Sequence, residues 1–192
     1  MEEQRYGRDK STLINHTYIN SGTYKRKFDL IANDKELSRL LYKVAKQMLE
    51  HRSGSKFEDM YWIDLDTLQI VAKEVNCPVE KRIIYSSETE KVIRIYENLL
   101  TMHSHPNSFP PSIDDLNSNF ERDYRIGLII CHNGKIYMYS ANEWINEKYY
   151  KLVVEGYLKQ GYNENRSQIL ALSELQEHFD ISFKEVTDYG DV

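Results

Sequence analysis

The sequence predicts a domain of the α+β class with layers in the order α-β-α. Three observations predict it: an amphipathic helix early in the chain, a series of short apolar strands, and two helical segments towards the end. The chain has 192 residues, a length that suits one domain of ordinary size with additional segments at its ends.

The first part of the chain contains a polar lead-in and then a clear helix. Residues 1–28 are mostly polar, with Ser, Thr, Asn and Gly throughout, and we expect them to form a loosely ordered N-terminal arm. The segment Asp34–His51 is predicted to be a helix, because apolar residues from Leu37 to Leu49 recur with helical spacing.

Short apolar runs bounded by turn residues follow this helix. We expect strands at Phe57–Leu65, Gln69–Val75 and Leu99–His105, and a further strand around Arg82–Tyr85. The pattern of Glu88–Asn98 fits either a helix or a strand. Pro106–Pro111 is typical of a loop, and a short helix is expected from Ser112 to about Phe120.

The strongest hairpin signal lies in the second half of the chain. Apolar runs within Arg125–Tyr139 flank Asn133-Gly134, a dipeptide that favours a two-residue type I′ turn. Helices are expected at Glu143–Gln160 and Arg166–Phe179, and a last strand at Ile181–Val186.

Composition excludes several classes of protein. Lys and Arg total 25 against 30 Asp and Glu, and a net charge of -5 gives no reason to expect nucleic acid as a partner. We expect no membrane partner, because no apolar run approaches the length of a spanning helix and no secretion signal is recognisable. Cys77 and Cys131 lie outside any CxxC pair and fit a cytoplasmic protein without disulfides, with Cys131 buried.

The stretch from Met102 to Asp115 carries the most informative chemistry. His103 and His105 end an apolar strand, and side chains two residues apart on a strand point to the same face. Asp115 lies in the first turn of the helix that follows. Two His and one Asp suit zinc, and three protein ligands leave a fourth position for water, as in catalytic sites. We therefore predict one Zn2+ per chain at His103, His105 and Asp115.

Residue chemistry alone leaves two roles open. Hydrolysis needs a carboxylate beside the metal to carry protons, and several precede the His pair: Glu50, Glu58, Glu74, Glu88 and Glu90. Ser112 and Asp115 also match a capping box, which is compatible with metal binding by Asp115. The remaining histidines have no such neighbours and are interpreted as surface or core residues: His16, His51, His132 and His178.

The pattern His103-x-His105-Pro106 followed by Ser112-x-x-Asp115 resembles the JAMM motif of the MPN-plus metallopeptidases. The resemblance implies that the two His and the Asp bind zinc and that Ser112 helps to steady the tetrahedral oxyanion. It also implies that a Glu on an early strand activates the attacking water.

The resemblance assigns this last role to Glu58, because its spacing to the His pair fits the family whereas Glu74 lies too close. One departure concerns the loop between Pro106 and Ser112, which is one residue shorter than the commonest family spacing. We expect the ligand geometry to survive this shortening.

The resemblance also implies a fold and a division of the chain. It implies a cytidine-deaminase-like MPN/JAB domain of the bacterial or phage type, with a mixed β-sheet flanked by helices. Residues 29–160 would form this metallopeptidase core, preceded by the polar arm at 1–28 and followed by a C-terminal helical extension at 161–192.

The expected activity is hydrolysis of a peptide or isopeptide bond at the C-terminus of a ubiquitin-like protein or its conjugate, with that protein as partner. The alternative is a metal-binding or scaffold module that acts in protein assembly, including phage assembly, without turnover. Barrel hydrolases with an HxH strand need ~250 residues and further His ligands, which are missing here. The oligomeric state is left open.

Overall fold

A computed structural model describes residues 9–187 of the chain. Seven helices and six strands follow a short 3-10 turn at Lys10–Thr12. In chain order these are α1 His16–Ile19, α2 Gly22–Ile31, α3 Lys35–Arg52, β1 Met60–Asp64, β2 Gln69–Glu74, α4 Ser87–Ile93, β3 Leu99–His105, α5 Ile113–Glu121, β4 Ile126–Cys131, β5 Ile136–Ala141, α6 Glu147–Lys159, α7 Glu164–His178 and β6 Ile181–Glu185.

The strands form one six-stranded sheet in the order β2-β1-β3-β4-β5-β6. The neighbouring pair β3 and β4 is parallel, and the other four neighbouring pairs are antiparallel. The sheet is therefore mixed, and the α+β class predicted from the sequence is confirmed.

One face of the sheet is covered by α1, α2 and α3. Asp34 starts α3 by accepting hydrogen bonds from the backbone N–H groups of Glu36 and Leu37, both at 2.8 Å. The apolar side of α3, including the fully buried Leu41 and Met48, packs against β1, β3 and β4. Burial of each such side chain contributes about 1.5–3 kcal/mol.

The opposite face carries the remaining helices. Buried side chains of α5, α6 and α7 pack on β4, β5 and β6, and Leu116 and Leu175 are fully buried there. Near the other edge of the sheet, Met60 and Trp62 of β1 form a smaller cluster with Ile93 of α4. The β-strands thus lie between two helical layers.

The connection from β3 through α5 to β4 positions the candidate site. Alternate residues of β3, Leu100 and Met102, belong to the core beneath α3. Side chains alternate along a strand, so His103 and His105 point to the opposite face, which is the face that α5 covers. The imidazoles therefore lie at the carboxyl end of a strand in a parallel pair, beside the N-terminus of α5.

The prediction of a loosely ordered arm is wrong for residues 9–28, whereas residues 1–8 lie outside the described part of the chain. Asn15 and Ser21 cap α1 and α2 with their side chains. Ile19, Tyr24 and Phe28 are fully buried in the core beneath α3. A few well-spaced apolar residues thus bury this polar segment against the domain.

Other element predictions need smaller corrections. Arg82–Tyr85 is not a strand, and helix α4 resolves the ambiguity over Glu88–Asn98 in favour of a helix in its first half. The hairpin at Arg125–Tyr139 is confirmed, but its turn is not type I′, because Gly134 has a φ of 85° while Asn133 stays on the negative side. The backbone N–H of Gly134 donates to Cys131 at 2.8 Å, which is typical of a type I turn followed by a glycine bulge.

The C-terminal segment belongs to the same packed unit as the rest of the described chain. Strand β6 pairs with β5 at the sheet edge, and α7 buries Ala171, Leu172 and Leu175. Cys77 and Cys131 are both buried, as predicted for Cys131. Within residues 9–187, no helix has the length and apolar character needed to cross a lipid bilayer.

Candidate metal centre

The end of β3 presents the two histidines. His103 lies opposite Met60 of β1 and Ile129 of β4, and the histidine is 3% exposed. His105 follows two residues later, opposite Cys131, and is partly buried. Hydrogen-bonded strands on both sides of His103 fix its backbone, so the direction of its imidazole is set by the sheet rather than by a loop.

The N-terminus of α5 presents the carboxylate. Ser112 is the N-cap residue, and its hydroxyl accepts a hydrogen bond from the backbone N–H of Asp115 at 3.2 Å. The backbone N–H and the hydroxyl of Ser112 both donate to Oδ2 of Asp115, each at 2.7 Å. This capping box holds the Asp115 carboxylate in place and leaves its Oδ1 directed at His103. The two sequence interpretations of Ser112 and Asp115 are therefore geometrically compatible.

The three predicted ligands come together in the fold. Nε2 of His103 lies 3.1 Å from Nε2 of His105 and 3.2 Å from Oδ1 of Asp115, and Nε2 of His105 lies 3.8 Å from Oδ2 of Asp115. Ligands about 2.0–2.1 Å from a tetrahedral ion are separated by roughly 3.3 Å. The observed spacings bracket this value, so the group can hold one metal ion.

Contacts behind the ligands give the two histidines different surroundings. Nδ1 of His105 lies 3.1 Å from the carbonyl oxygen of Phe109. A carbonyl only accepts, so Nδ1 carries the proton and Nε2 of the neutral ring offers its lone pair. Among residues 9–187, Nδ1 of His103 has no hydrogen-bond partner. The ring of His103 is held by packing within the sheet.

The electrostatics also suit a cation. Burial, together with the nearby His103, lowers the pKa of His105 to about 4, so this ring is neutral at pH 7. Burial alone would raise the pKa of Asp115, but His103, His105 and the hydrogen bond from Ser112 lower it. Burial acts to lower the pKa of His103, but Asp115 and Glu58 outweigh it and raise that pKa. A cation bound at Nε2 of His103 would displace the proton shared with Asp115.

Glu58 lies just before β1 and lines the same cleft as the three ligands. Burial is the largest cause that raises its pKa to about 8, with a smaller opposing contribution from His103. The residue as a whole is 7% exposed. A divalent cation on the three ligands would favour its ionised form, because opposite charges lower the pKa of a carboxyl group.

The other acidic candidates lie elsewhere or have partners. Glu50 is exposed and pairs with Lys46 on α3. Glu74 accepts a hydrogen bond from the backbone N–H of Ser86. Glu90 lines the cleft but is paired with Arg122 at 2.8 and 2.9 Å. Exposed Glu88 does not line the cleft. Glu58 is therefore the only one of these candidates that is buried beside the ligands.

A buried charge network holds the backbone next to Glu58. Asp59 accepts a hydrogen bond from Nε of Arg52, and its carboxylate lies 2.7 Å from Nδ1 of His51; Arg52 and His51 are both at the end of α3. The backbone N–H of Asp59 donates to Ser104 at 3.0 Å, and the N–H of Ser104 donates back to Asp59. Breaking such a buried pair by removing one partner costs about 3–5 kcal/mol. The network therefore fixes the entry to β1.

The shortened loop between β3 and α5 is anchored by residues outside the motif. The carbonyl oxygen of Ser108 accepts hydrogen bonds from Asn165 of α7 at 2.7 Å and from Tyr137 of β5 at 3.2 Å. The hydroxyl of Ser108 accepts another from Asn133 at 2.6 Å. Part of the loop geometry thus depends on the C-terminal segment, which lies outside the resemblance.

The ligands open into a cleft of about 770 Å3, within the usual range for ligand sites. Sequence reasoning missed most of its walls. The half-exposed Trp144 precedes α6, and Glu164 and Gln168 project from α7. The guanidinium group of Arg122 lies over the ring of Tyr85, with its central carbon 4.7 Å from the ring centroid. No local pattern marks these residues, because they meet only through tertiary packing.

The remaining histidines agree with their interpretation as surface or core residues. His16 and His178 are exposed, and His132 is buried with its Nδ1 2.7 Å from the carbonyl oxygen of Thr12. His51 takes part in the charge network described above.

Comparison of the chain with protein-family models, with curated proteins and with solved structures gave no match. The JAMM resemblance therefore depends on the motif and on the geometry of the site.

Proposed function

We propose that the chain is a zinc-dependent hydrolase of peptide or isopeptide bonds with an MPN/JAB fold. The observation that carries the proposal is the convergence of His103, His105 and Asp115 at tetrahedral spacing, with Glu58 buried in the same cleft. Two nitrogen ligands and one carboxylate are a donor set that zinc favours, and zinc is used by hydrolases with three protein ligands.

The metal, when bound, supplies a Lewis acid that polarises a carbonyl group and makes water more acidic. Glu58 accepts a proton from a water molecule as the oxygen of that water bonds to the carbonyl carbon of the substrate. The same carboxyl group then gives this proton to the nitrogen as the C–N bond breaks. The second proton of the water remains on the acid product and passes to the amine, so the products are a carboxylate and an ammonium group. The ammonium belongs to a lysine side chain when the bond is an isopeptide.

Ser112 supports the proposed reaction in two ways. Its contacts with Asp115 hold the carboxylate ligand before substrate binds. Its hydroxyl is exposed at the edge of the cleft and, on rotating away from Asp115, can donate to a developing oxyanion. One such donor contributes about 3–4 kcal/mol in comparable sites.

The test is cleavage of a library of linear peptides and of a ubiquitin-like protein carrying a C-terminal extension, by zinc-loaded protein. Wild type and the Glu74→Gln control are expected to cleave, because Glu74 lies on β2 with its own partner. Glu58→Gln is expected to bind zinc and lose turnover at least a hundredfold, the usual contribution of a general base.

Turnover that survives in Glu58→Gln would contradict the role of Glu58. Zinc binding with no cleavage of any substrate would favour the alternative of a metal-binding scaffold module. The protein partner and the cytoplasmic location stay predictions from the sequence.

A further inference from the structure

A second cavity of about 610 Å3 adjoins the metal cleft. It lies between the N-terminal segment at Ser11–Thr12, the β3–α5 loop and the β4–β5 turn. Lys81, Asn107 and Phe109 line both cavities, so a chain bound in the cleft can extend into the second one.

The second cavity is basic. Its lining contains Lys56, Lys81 and Lys135 and no carboxylate among the described residues. Lys135 is paired with Glu185 at 2.9 Å, and Lys56 lies 3.6 Å from Asp9. Within residues 9–187, Lys81 takes part in no ion pair. Lys81 therefore supplies the uncompensated positive charge of this cavity.

The backbone fixes Lys81 in an unusual conformation. Its φ is 56°, a left-handed backbone value that residues other than glycine rarely adopt. Its N–H donates to the carbonyl oxygen of Lys56 at 2.9 Å, which holds the turn in place. Strained residues of this kind are concentrated at ligand sites, where the surrounding structure maintains them.

Charge differs between the two cavities. In the metal cleft, carboxylate side chains outnumber Lys and Arg, whereas the second cavity has only cationic charge among its lining residues. Lys81 also lies close enough to Glu58 for its ammonium group to oppose the burial that raises the pKa of that carboxyl group. The positive charge therefore lies near the carboxyl group proposed as the general base.

We propose that the second cavity binds a carboxylate of the polypeptide substrate and that Lys81 sets this preference. The inference rests on the proposed hydrolysis and adds a substrate class to it. The carboxylate belongs either to an Asp or Glu side chain or to the end of the chain, and both present the same acceptor to an ammonium group.

The first experiment measures selectivity during cleavage. A peptide library with amidated C-termini and a matched library with free C-termini are incubated with zinc-loaded protein, and products are identified by mass spectrometry. Wild type is expected to cleave sequences with Asp or Glu at one position near the bond about fivefold faster than Asn or Gln counterparts. A preference confined to the free-acid library would identify the chain end as the source.

Three variants isolate the charge of Lys81. Lys81→Gly removes the ammonium and suits the positive φ, so its unfolding midpoint should be unchanged or raised while the acid preference disappears. Lys81→Arg should keep the preference. Arg82→Gly removes the neighbouring cation, which lines only the metal cleft, and should also keep it. An acid preference retained in Lys81→Gly, or absent from wild type, would overturn the inference.

A binding experiment separates this inference from the proposed hydrolysis. Fluorescein-labelled peptides with Glu or Gln at the preferred position, or acidic and amide homopeptides if nothing is cleaved, are titrated into zinc-loaded Glu58→Gln with and without Lys81→Gly. Tighter binding of acidic peptides that requires Lys81, without cleavage by wild type, supports the cavity and contradicts the hydrolase. Cleavage without acid preference supports the hydrolase and contradicts the cavity.

Discussion

Replacing Ser112 with Ala tests whether the cap of α5 also holds the metal ligand. The substitution removes the hydroxyl that donates to Oδ2 of Asp115 at 2.7 Å and that accepts from the Asp115 backbone at 3.2 Å. The backbone N–H of Ser112 keeps its own bond to the same oxygen. Asp115 should therefore stay nearby but become less well oriented.

Two magnitudes follow from these contacts. Loss of an N-cap side chain destabilises the metal-free protein by about 1 kcal/mol, which lowers the melting temperature by about 2–4 °C for a chain of this size. Loss of a contact that orients a metal ligand weakens zinc binding about 10- to 100-fold. We expect Ser112→Ala to show both effects.

Ser21→Ala is the matched control. Ser21 caps α2 on the opposite helical layer, and its hydroxyl accepts from the backbone N–H of Tyr24 at 3.1 Å. This variant should lose similar stability and keep wild-type zinc affinity. Zinc affinity is measured by competition with a chromophoric chelator, and stability by denaturation of metal-free protein. Equal zinc affinity in Ser112→Ala and Ser21→Ala would refute the role of the cap in ligand positioning.

Three further outcomes are expected. Gly127→Ala should lower the free energy of unfolding, measured by urea denaturation, by about 1–3 kcal/mol, because the added Cβ would lie 2.1 Å from the ring of Tyr139. Unchanged stability would contradict this packing. Asn165→Ala should weaken zinc binding several-fold by removing one donor to Ser108, and normal affinity would show that the loop does not need it. Burial lowers the pKa of His132 in the folded protein. As the pH falls below about 6.5, this histidine is protonated in the unfolded state before it is protonated in the folded state, so the free energy of unfolding should decrease. In His132→Gln this part of the pH dependence should vanish, and an unchanged pH profile would contradict the assignment of this pH dependence to His132.

Local pattern was sufficient for much of the fold. The helical spacing of Leu37 to Leu49 predicted α3, and the apolar run ending at His105 predicted β3 with its observed bounds. The alternation of side chains along a strand placed the two imidazoles on one face, where Asp115 joins them. These features depend on residues close together in sequence, and such signals can be read without tertiary information.

Features that depend on long-range packing were not predictable in the same way. The segment at residues 9–28 has too few apolar residues to suggest a core, yet Tyr24 and Phe28 find their partners on α3 and the sheet. The turn at Asn133-Gly134 differs from type I′, and here the ring of Tyr18 packs closely against Gly134. A Cβ added to Gly134 would lie 2.4 Å from that ring. Local preference was overridden where distant elements meet.

The candidate site also has a part that local sequence predicted and a part that depends on long-range packing. The ligand set follows from a motif within one loop, whereas Glu58 lies near it because β1 pairs with β3. Residue chemistry left several carboxylates open as the general base, and only the family resemblance selected Glu58. The walls of the cleft, including Trp144 and Lys81, come from segments whose sequence gives no sign of a shared function.

The most direct test of the central claim is the metal content of the purified protein by mass spectrometry. Wild type is compared with His103→Ala/His105→Ala and with a control in which the exposed His16 and His178 are both replaced by Ala. We expect one zinc per chain in wild type and in the control, and none in the variant that lacks the two ligands. Absence of metal from wild type after zinc is added back, or retention of zinc without His103 and His105, would contradict the proposed metal centre.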